Sequence, residues 1–405
     1  MQNRLAAAAL LCSALAAPQA LAQLTPEAVE ALQSPIAVER TEPVTTIPLK
    51  PHMSKLAIDA TLNGVTREFI FDTGSPTMIS KALASELELK VVGSNTGRDA
   101  NGRSVTTEIA VVDRLQIGGV TLRSVPVLIA DFSVSDPKGC FVDAGVIGSE
   151  IFPGSAWRID TERGELSIAA TVDDLVDADR VGIVAPLQDW GYPHAPVFPY
   201  SIGQFRDNGL FDTGHSAKVV LFDKVLDNEE VQKALASESL RTGRGSLGVS
   251  AAGAGEETDL LRFEIEGMRL GDVELGRSSG TIREAPPSLI GLGVLETHTV
   301  TLDYPGKRFV LSPRDEIVPS REPVGFGLMT DGTGVRVMQL YDDSEAKRVG
   351  LKLGDLVTAI DDRALPVGDV PCEVTRWLVE NRPAASAKTL TVQRSGGAVV
   401  INLTP

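Results

Sequence analysis

Three cysteines, four histidines and a deficit of basic side chains exclude several chemistries at the outset. Cys12 falls in an N-terminal apolar run, where Ala9-Leu10-Leu11 lacks the small residues that a lipoprotein site needs. That leaves Cys140 and Cys372, which fall in segments that read as different domains, so a disulfide framework is not expected. His52, His194, His215 and His298 are scattered singly, and no pair has metal-ligand spacing; neither a metal nor another cofactor is expected. Lys and Arg number 38 against 54 Asp and Glu, a net charge of -16. A nucleic-acid surface is therefore disfavoured, because the phosphate backbone is bound through clustered cations. Beyond the N-terminal run no segment approaches twenty consecutive apolar residues, so no stable membrane anchor is expected.

The N-terminus has the layout of a secretory signal peptide over residues 1–22. Arg4 precedes the apolar run Leu5 to Ala17, Pro18 breaks it, and Ala20-Leu21-Ala22 puts small residues where a signal peptidase reads. Cleavage before Gln23 predicts a periplasmic or secreted protein. Residues 23–43 form an N-terminal segment, either a prosegment or a linker, in which Thr25 to Ser34 reads as a surface helix. The remainder is too long for one ordinary core and predicts two or three domains.

The chain repeats itself. Phe71-Asp72-Thr73-Gly74-Ser75 recurs as Phe211-Asp212-Thr213-Gly214-His215, 140 positions later. Val146-Ile147-Gly148 follows the first copy and Leu289-Ile290-Gly291 the second, with Asp-to-Gly spacings of 76 and 79. From there both copies run without a gap, through Arg158-Ile159-Asp160 and Thr301-Leu302-Asp303, into hairpin signals at Thr161–Gly164 and Tyr304–Lys307. One Asp-Thr-Gly is a common turn composition; two in register are not a coincidence of turns.

Each copy reads as β structure. Leu56 to Leu62, the turn Asn63-Gly64 and Arg67 to Phe71 form a hairpin that delivers Asp72 at its end. Val197 to Ile202, a turn near Gly203 and Leu210-Phe211 do the same for Asp212. Val111 to Ile117 and Val125 to Ile129 flank a turn at Gly118-Gly119; the counterpart is Leu261 to Leu270 with a turn at Gly271-Asp272. Helices are expected over Ser80 to Leu89 and Lys224 to Ser237. Short strands with turn signals predict an all-β fold of barrel-like lobes.

Two Asp-Thr-Gly motifs, each followed by a hydrophobic-hydrophobic-Gly segment, resemble the retropepsin and pepsin class of aspartic proteases, most closely bacterial retropepsin-like proteins with both units in one chain. The resemblance covers roughly residues 44 to 315. It implies two retropepsin-like acid-protease lobes, 44–170 and 171–315, with an active site in the cleft between them. It also implies a monomer, since both half-sites are present, and a polypeptide substrate. Asp72 and Asp212 are then the catalytic pair. Two like charges at close range share one proton, so one carboxylate takes a proton from water while the other donates to the scissile carbonyl. By the same resemblance Thr73 and Thr213 interlock across the junction. Gly74 and Gly214 let the backbone approach the carboxylates. Ser75 supports an outer carboxylate oxygen, and His215 departs from that pattern with a group that, if protonated, depresses the pair's titration. Flaps are expected at Gly97 to Arg103 and Gly243 to Gly255; neither offers a tyrosine, which brings the likeness closer to retropepsins.

After a linker, Pro313 to Pro323, the segment 322–405 carries Gly325-Phe326-Gly327-Leu328. It continues with Ser344-x-Ala346-x-x-x-Gly350-Leu351-x-x-Gly354-Asp355-x-Val357-x-x-Ile360-Asp361. This pattern resembles the PDZ domains of bacterial envelope proteases, small α/β modules that take a protein C-terminus. Helices are expected over Ser344 to Val349 and Glu373 to Glu380, with closing strands over Thr389 to Leu403. By resemblance the N–H groups of Phe326, Gly327 and Leu328 form a nest for a carboxylate, and Met329 with Val335 to Leu340 offers the strand edge.

The sequence thus reads as an aspartic endopeptidase with a peptide-binding module. Two other readings are a catalytically silent peptide-binding protein that uses the cleft and the PDZ groove, and a scaffold whose working part is the PDZ.

Overall fold

Asn63 and Gly64 both take left-handed backbone, φ 46° and 94°, which reverses the chain with the twist that paired strands require. Strands Lys55–Leu62 and Val65–Phe71 consequently pair residue for residue, from Leu62↔Val65 to Ala57↔Ile70. In the second repeat Gly203 (φ 57°) turns Val197–Ile202 into Phe205–Asp212, in register from Ile202↔Phe205 to Val197↔Leu210. Each hairpin is then closed by a short parallel strand. Gly145–Ile147 runs beside Ile70-Phe71, and Ser288–Gly291 beside Gly209 to Asp212.

The computed structural model describes residues 24–176, 181–236, 238–317 and 324–403, and is predominantly β-strand. The expected signal peptide lies outside the described residues. The chain divides into two compact units. The first takes in both repeats, residues up to 132, 142–236 and from 264 to the linker. Its nine-stranded sheet is built from the first repeat, and a six-stranded sheet is built from both. The repeats meet in that second sheet where Ala156–Asp160 pairs with His298–Asp303, Ala156↔Asp303 to Ile159↔Val300. Beneath it Trp157, Phe152 and Tyr304 pack together, with ring centroids 5.3 and 5.7 Å apart, while Phe309 stacks on Phe198 at 4.8 Å. Trp157, Phe152, Phe198 and Phe309 are fully buried, each worth about 2–3 kcal/mol of transfer free energy.

Several local expectations need correction. The helix read over Lys224 to Ser237 is a 3-10 turn, Asp223–Asp227, and a separate helix, Glu229–Ala234. Asn228 divides them: its backbone is extended and its Oδ1 accepts from the Glu230 N–H at 2.9 Å, an N-cap rather than a helical residue. The strand read over Leu261 to Leu270 is interrupted at Gly267 (φ 72°), giving Glu257–Ile265 and Met268–Leu270. The N-terminal helix, Pro26–Gln33, is not purely a surface element. Thr25 caps it, and Ala28 and Leu32 are buried with Ile109 and Leu128. Strand Ala37–Arg40 follows and pairs with Val120 to Arg123.

The second unit gathers residues 133–141, 238–263 and 324–403. Strands Phe326–Thr330, Val335–Tyr341, Leu356–Ile360, Thr389–Arg394 and Gly397–Asn402 enclose Val335, Val337, Val357, Leu390 and Val392, with helix Cys372–Asn381 adding Val374 and Leu378. Two segments from the repeat region belong here, and the first overturns an expectation. Loop 133–141 is held to helix Cys372–Asn381 by a disulfide between Cys140 and Cys372, Cα atoms 5.2 Å apart. Lys138 adds a bond from Nζ to the Val370 carbonyl at 2.6 Å. The two cysteines were expected to remain apart because the linear sequence places them in different domains. The fold does not follow that division. Strand Arg241–Ser246, read as part of a flap, pairs with Glu257–Arg262 on one edge and with Gln339–Tyr341 on the other. The start of the expected flap, Gly243 to Ser246, is therefore fixed in a sheet, and beyond it Val249-Ser250 pairs with Gly253-Ala254 as a small hairpin.

Candidate active site

The two Asp-Thr-Gly loops are bound to each other by four crossed hydrogen bonds. The Thr73 hydroxyl donates to the Phe211 carbonyl at 2.7 Å, and the Thr213 hydroxyl to the Phe71 carbonyl at 2.8 Å. Each hydroxyl oxygen also accepts the other threonine's N–H at 3.0 Å. Both side chains are fully buried, so each polar group in this square is satisfied by its pseudo-symmetric partner.

The square brings the aspartates together. Gly74 N–H donates to Asp72 Oδ1 at 2.9 Å and Gly214 N–H to Asp212 Oδ1 at 2.7 Å, which aims both carboxyls inward. A Cβ on Gly74 would stand 2.5 Å from Asp212 Cγ, and one on Gly214 2.7 Å from Asp72 Cγ. Any other residue at either position displaces a carboxyl. The segments after the motifs explain their own glycines. Gly148 lies against the backbone of Ser75 and Pro76, and a Cβ on Gly291 would sit 2.5 Å from the His215 carbonyl. The loops are fastened in equivalent ways, Ser149 N–H to Ser75 O at 2.9 Å and Leu292 N–H to His215 O at 2.7 Å.

Burial, and then the charge of Asp212, push the Asp72 carboxyl up to about 7; Lys55 and the Gly74 N–H oppose that rise, and a hydrogen bond with Asp212 adds to it. Both aspartates keep part of their surface open. One proton therefore resides on the pair into the neutral range.

Two neighbours behave differently from expectation. Ser75 Oγ donates to the Pro76 carbonyl at 3.1 Å, and its single proton is therefore not directed at a carboxylate. His215 Nδ1 accepts the Ala217 N–H at 3.2 Å, which fixes the neutral ring with its proton on Nε2. Burial, reinforced by the charges of Lys55 and Arg283 and opposed by Asp212, drives His215 down to about 4. The imidazole is uncharged at neutral pH and does not depress the pair.

Three residues near the loops escaped the sequence reading. Lys55 Nζ donates to the Gly214 carbonyl, and Arg283 exerts its charge on Asp212 and His215. Glu150, two residues past Gly148, is buried; its carboxylate accepts from Thr77 N–H and Thr77 Oγ1 at 2.8 Å, while Thr77 Oγ1 accepts from Gly148 N–H at 2.9 Å. Counting the ladder back from Asn63-Gly64 locates Lys55; nothing in the sequence marks Glu150.

Burial raises Glu150 from 4.5 to about 7, against the bonds from Thr77 and Tyr192. A carboxyl that is more basic in the fold holds its proton where the unfolded chain has lost it. Its stabilising contribution is complete below pH 4.5 and is lost as pH rises to 7, by about 3 kcal/mol. The melting temperature should fall between pH 5 and 7.5, and Glu150→Gln should flatten that fall. Equal slopes in the two proteins would show that Glu150 does not titrate there.

The residues singled out after the linker open a strand that carries a register shift between Gly327 and Leu328. Phe326, Gly327 and Leu328 lie in a strand paired with Val335–Tyr341, and neither Gly325 nor Gly327 takes positive φ, the left-handed turn that such a nest uses. The Val335–Tyr341 strand has no open edge to offer at its ends: Leu356-Val357 covers its start and Gly243 to Gly245 its end. The strand Phe326–Thr330 has one partner among the described residues, which leaves its other edge open.

Residues 58–151 match a family model described as aspartyl protease. That stretch carries Asp72 and Val146-Ile147-Gly148 and stops before the second repeat. No curated protein matches the chain. The first repeat is thus similar to aspartyl proteases, and the likeness points to hydrolysis of the aspartic type.

Proposed function

We propose that this chain is an aspartic endopeptidase whose water is activated by the Asp72/Asp212 pair. The observation that carries the reading is the crossed Thr73/Thr213 square, which holds two carboxyls against each other's loops. In the form with one shared proton, the ionised carboxyl removes a proton from water as it attacks the scissile carbonyl. The protonated carboxyl donates to the carbonyl oxygen. The oxygen is delivered from water, so no enzyme–acyl bond forms. Roles are not divided between the two residues, because the proton belongs to the pair. Both half-sites lie in one chain, which supports action as a monomer, and the disulfide supports an oxidising compartment, periplasmic or extracellular. The test is mass-spectrometric detection of internal cleavage in an unfolded protein substrate between pH 3 and 8. Binding of that substrate without cleavage would favour the silent peptide-binding alternative.

The second unit fits a peptide-binding module of the PDZ kind. The open edge of Phe326–Thr330 can take an extended chain as an added strand. A free C-terminus should bind the full-length Asp72→Asn protein in titration calorimetry more tightly than its amidated form. Equal binding of both, or of neither, would remove the terminus-reading role. The full chain is the right sample: a fragment starting near 322 loses both the strand Arg241–Ser246 and the disulfide partner of Cys372.

A further inference from the structure

The two halves of the candidate site carry different cations, Lys55 acting on Asp72 and Arg283 on Asp212. Counting two residues beyond the ladder that runs from Leu62↔Val65 to Ala57↔Ile70 sets Lys55 level with Asp72. In the second repeat Val197↔Leu210 continues through Phe211, whose N–H bonds the Pro196 carbonyl at 3.0 Å, to Ala195 opposite Asp212. Lys55 thus supplies a charge that acts on Asp72, and its counterpart by register, Ala195, is apolar and packs against the Val197 and Leu210 cluster.

The ammonium is also tied to the opposite loop. Lys55 Nζ donates to the Gly214 carbonyl. The N–H of that same glycine holds Asp212 Oδ1 at 2.7 Å, and a Cβ at that glycine would collide with the Asp72 carboxyl. One side chain thus bridges the strand before the first aspartate to the loop after the second. Among the described residues, the other charged or titratable groups acting on the pair are Arg283 and the neutral His215, both on the Asp212 side.

We propose that Lys55 is a positioning residue of the aspartate pair, anchoring the Gly214 loop and supplying the countercharge that lets the pair carry one negative charge in the form that activates water. This rests on the proteolytic reading above. Burial and the mutual repulsion of the carboxyls both favour retaining protons, whereas the Lys55 charge acts on Asp72 in the opposite direction. Removing it makes every ionisation of the pair harder. The acid limb of activity, which reports the first ionisation, moves to higher pH. The alkaline limb, which reports loss of the shared proton, moves the same way. A nearby opposite charge is worth about 1–3 pH units, and a shift of at least roughly one unit is expected here. Because Lys55 is bonded to the loop rather than to the peptide, its loss should lower kcat at the original optimum and leave KM unchanged.

The experiment is a pH profile of kcat/KM for the wild type, Lys55→Met, Lys55→Gln and Lys55→Arg. It is run alongside a carbon-13 titration of the aspartate carboxyls, assigned with Asp72→Asn and Asp212→Asn. Lys55→Gln keeps a donor for the Gly214 carbonyl without the charge, and so separates anchoring from electrostatics if Lys55→Met fails to fold. Upward shifts in both neutral variants, restored in Lys55→Arg, support the proposal. Unmoved limbs and unmoved carboxyl titrations in a folded neutral variant would overturn it, and the Asp72/Asp212 reading would stand. If the wild type cleaves nothing, the proteolytic reading fails. The carboxyl titration then still decides the coupling, since a shift upholds it and no shift ends it.

Discussion

Asp72→Asn and Asp212→Asn should each abolish peptide cleavage, with kcat/KM falling by roughly 10²–10⁴ or more. An amide neither takes a proton from water nor shares one with its neighbour, so either substitution removes the acid–base cycle. The fold should be retained. Asn keeps the oxygen that accepts the Gly74 or Gly214 N–H, and the threonine square is untouched. Melting at neutral pH should be no lower than in the wild type, because a carboxyl raised to about 7 by burial and a like charge is itself a source of instability there. The double variant should lose little more than either single one, as residues acting as one unit are not additive. Cleavage assays and circular-dichroism melts decide this. Activity surviving Asp212→Asn alone would make the second repeat a structural half. Activity surviving both would end the protease reading.

Reduction, or Cys140→Ser with Cys372→Ser, should destabilise the second unit by about 2–5 kcal/mol, the range for a native disulfide closing a long loop. The bond spans 232 positions of sequence, and Lys138 also fastens the loop it holds. Calorimetry with and without reductant should lower the transition that buries Val335, Val357 and Leu390, the core of that unit. An unmoved transition would mean that the 133–141 loop contributes nothing to it.

The repeat made the first unit legible because its hairpins are local. Asn63-Gly64 and Gly203 set the registers, and the registers deliver both aspartates. Partners supplied from far along the chain carried no such signal. Cys140 and Cys372 look unrelated in a linear reading because a loop inserted in the first repeat belongs to the second unit. Strand Arg241–Ser246 reads as a mobile glycine-rich stretch, since its second partner lies about a hundred residues away. The sequence also gives no sign that the Ser75 hydroxyl donates to the adjacent Pro76 carbonyl.

The shared six-stranded sheet also dictates an order of assembly during synthesis. Strand Ala156–Asp160 receives Glu165–Ala169 on one side almost as soon as it is made, and Val44–Pro48 is already present to extend that sheet. Its other side waits for His298–Asp303, well over a hundred residues later. Until then a half-made chain displays an open, apolar β edge around Trp157 and Ile159, the kind of surface that recruits neighbouring nascent chains. Truncation between the repeats should therefore yield an aggregating product rather than a working half.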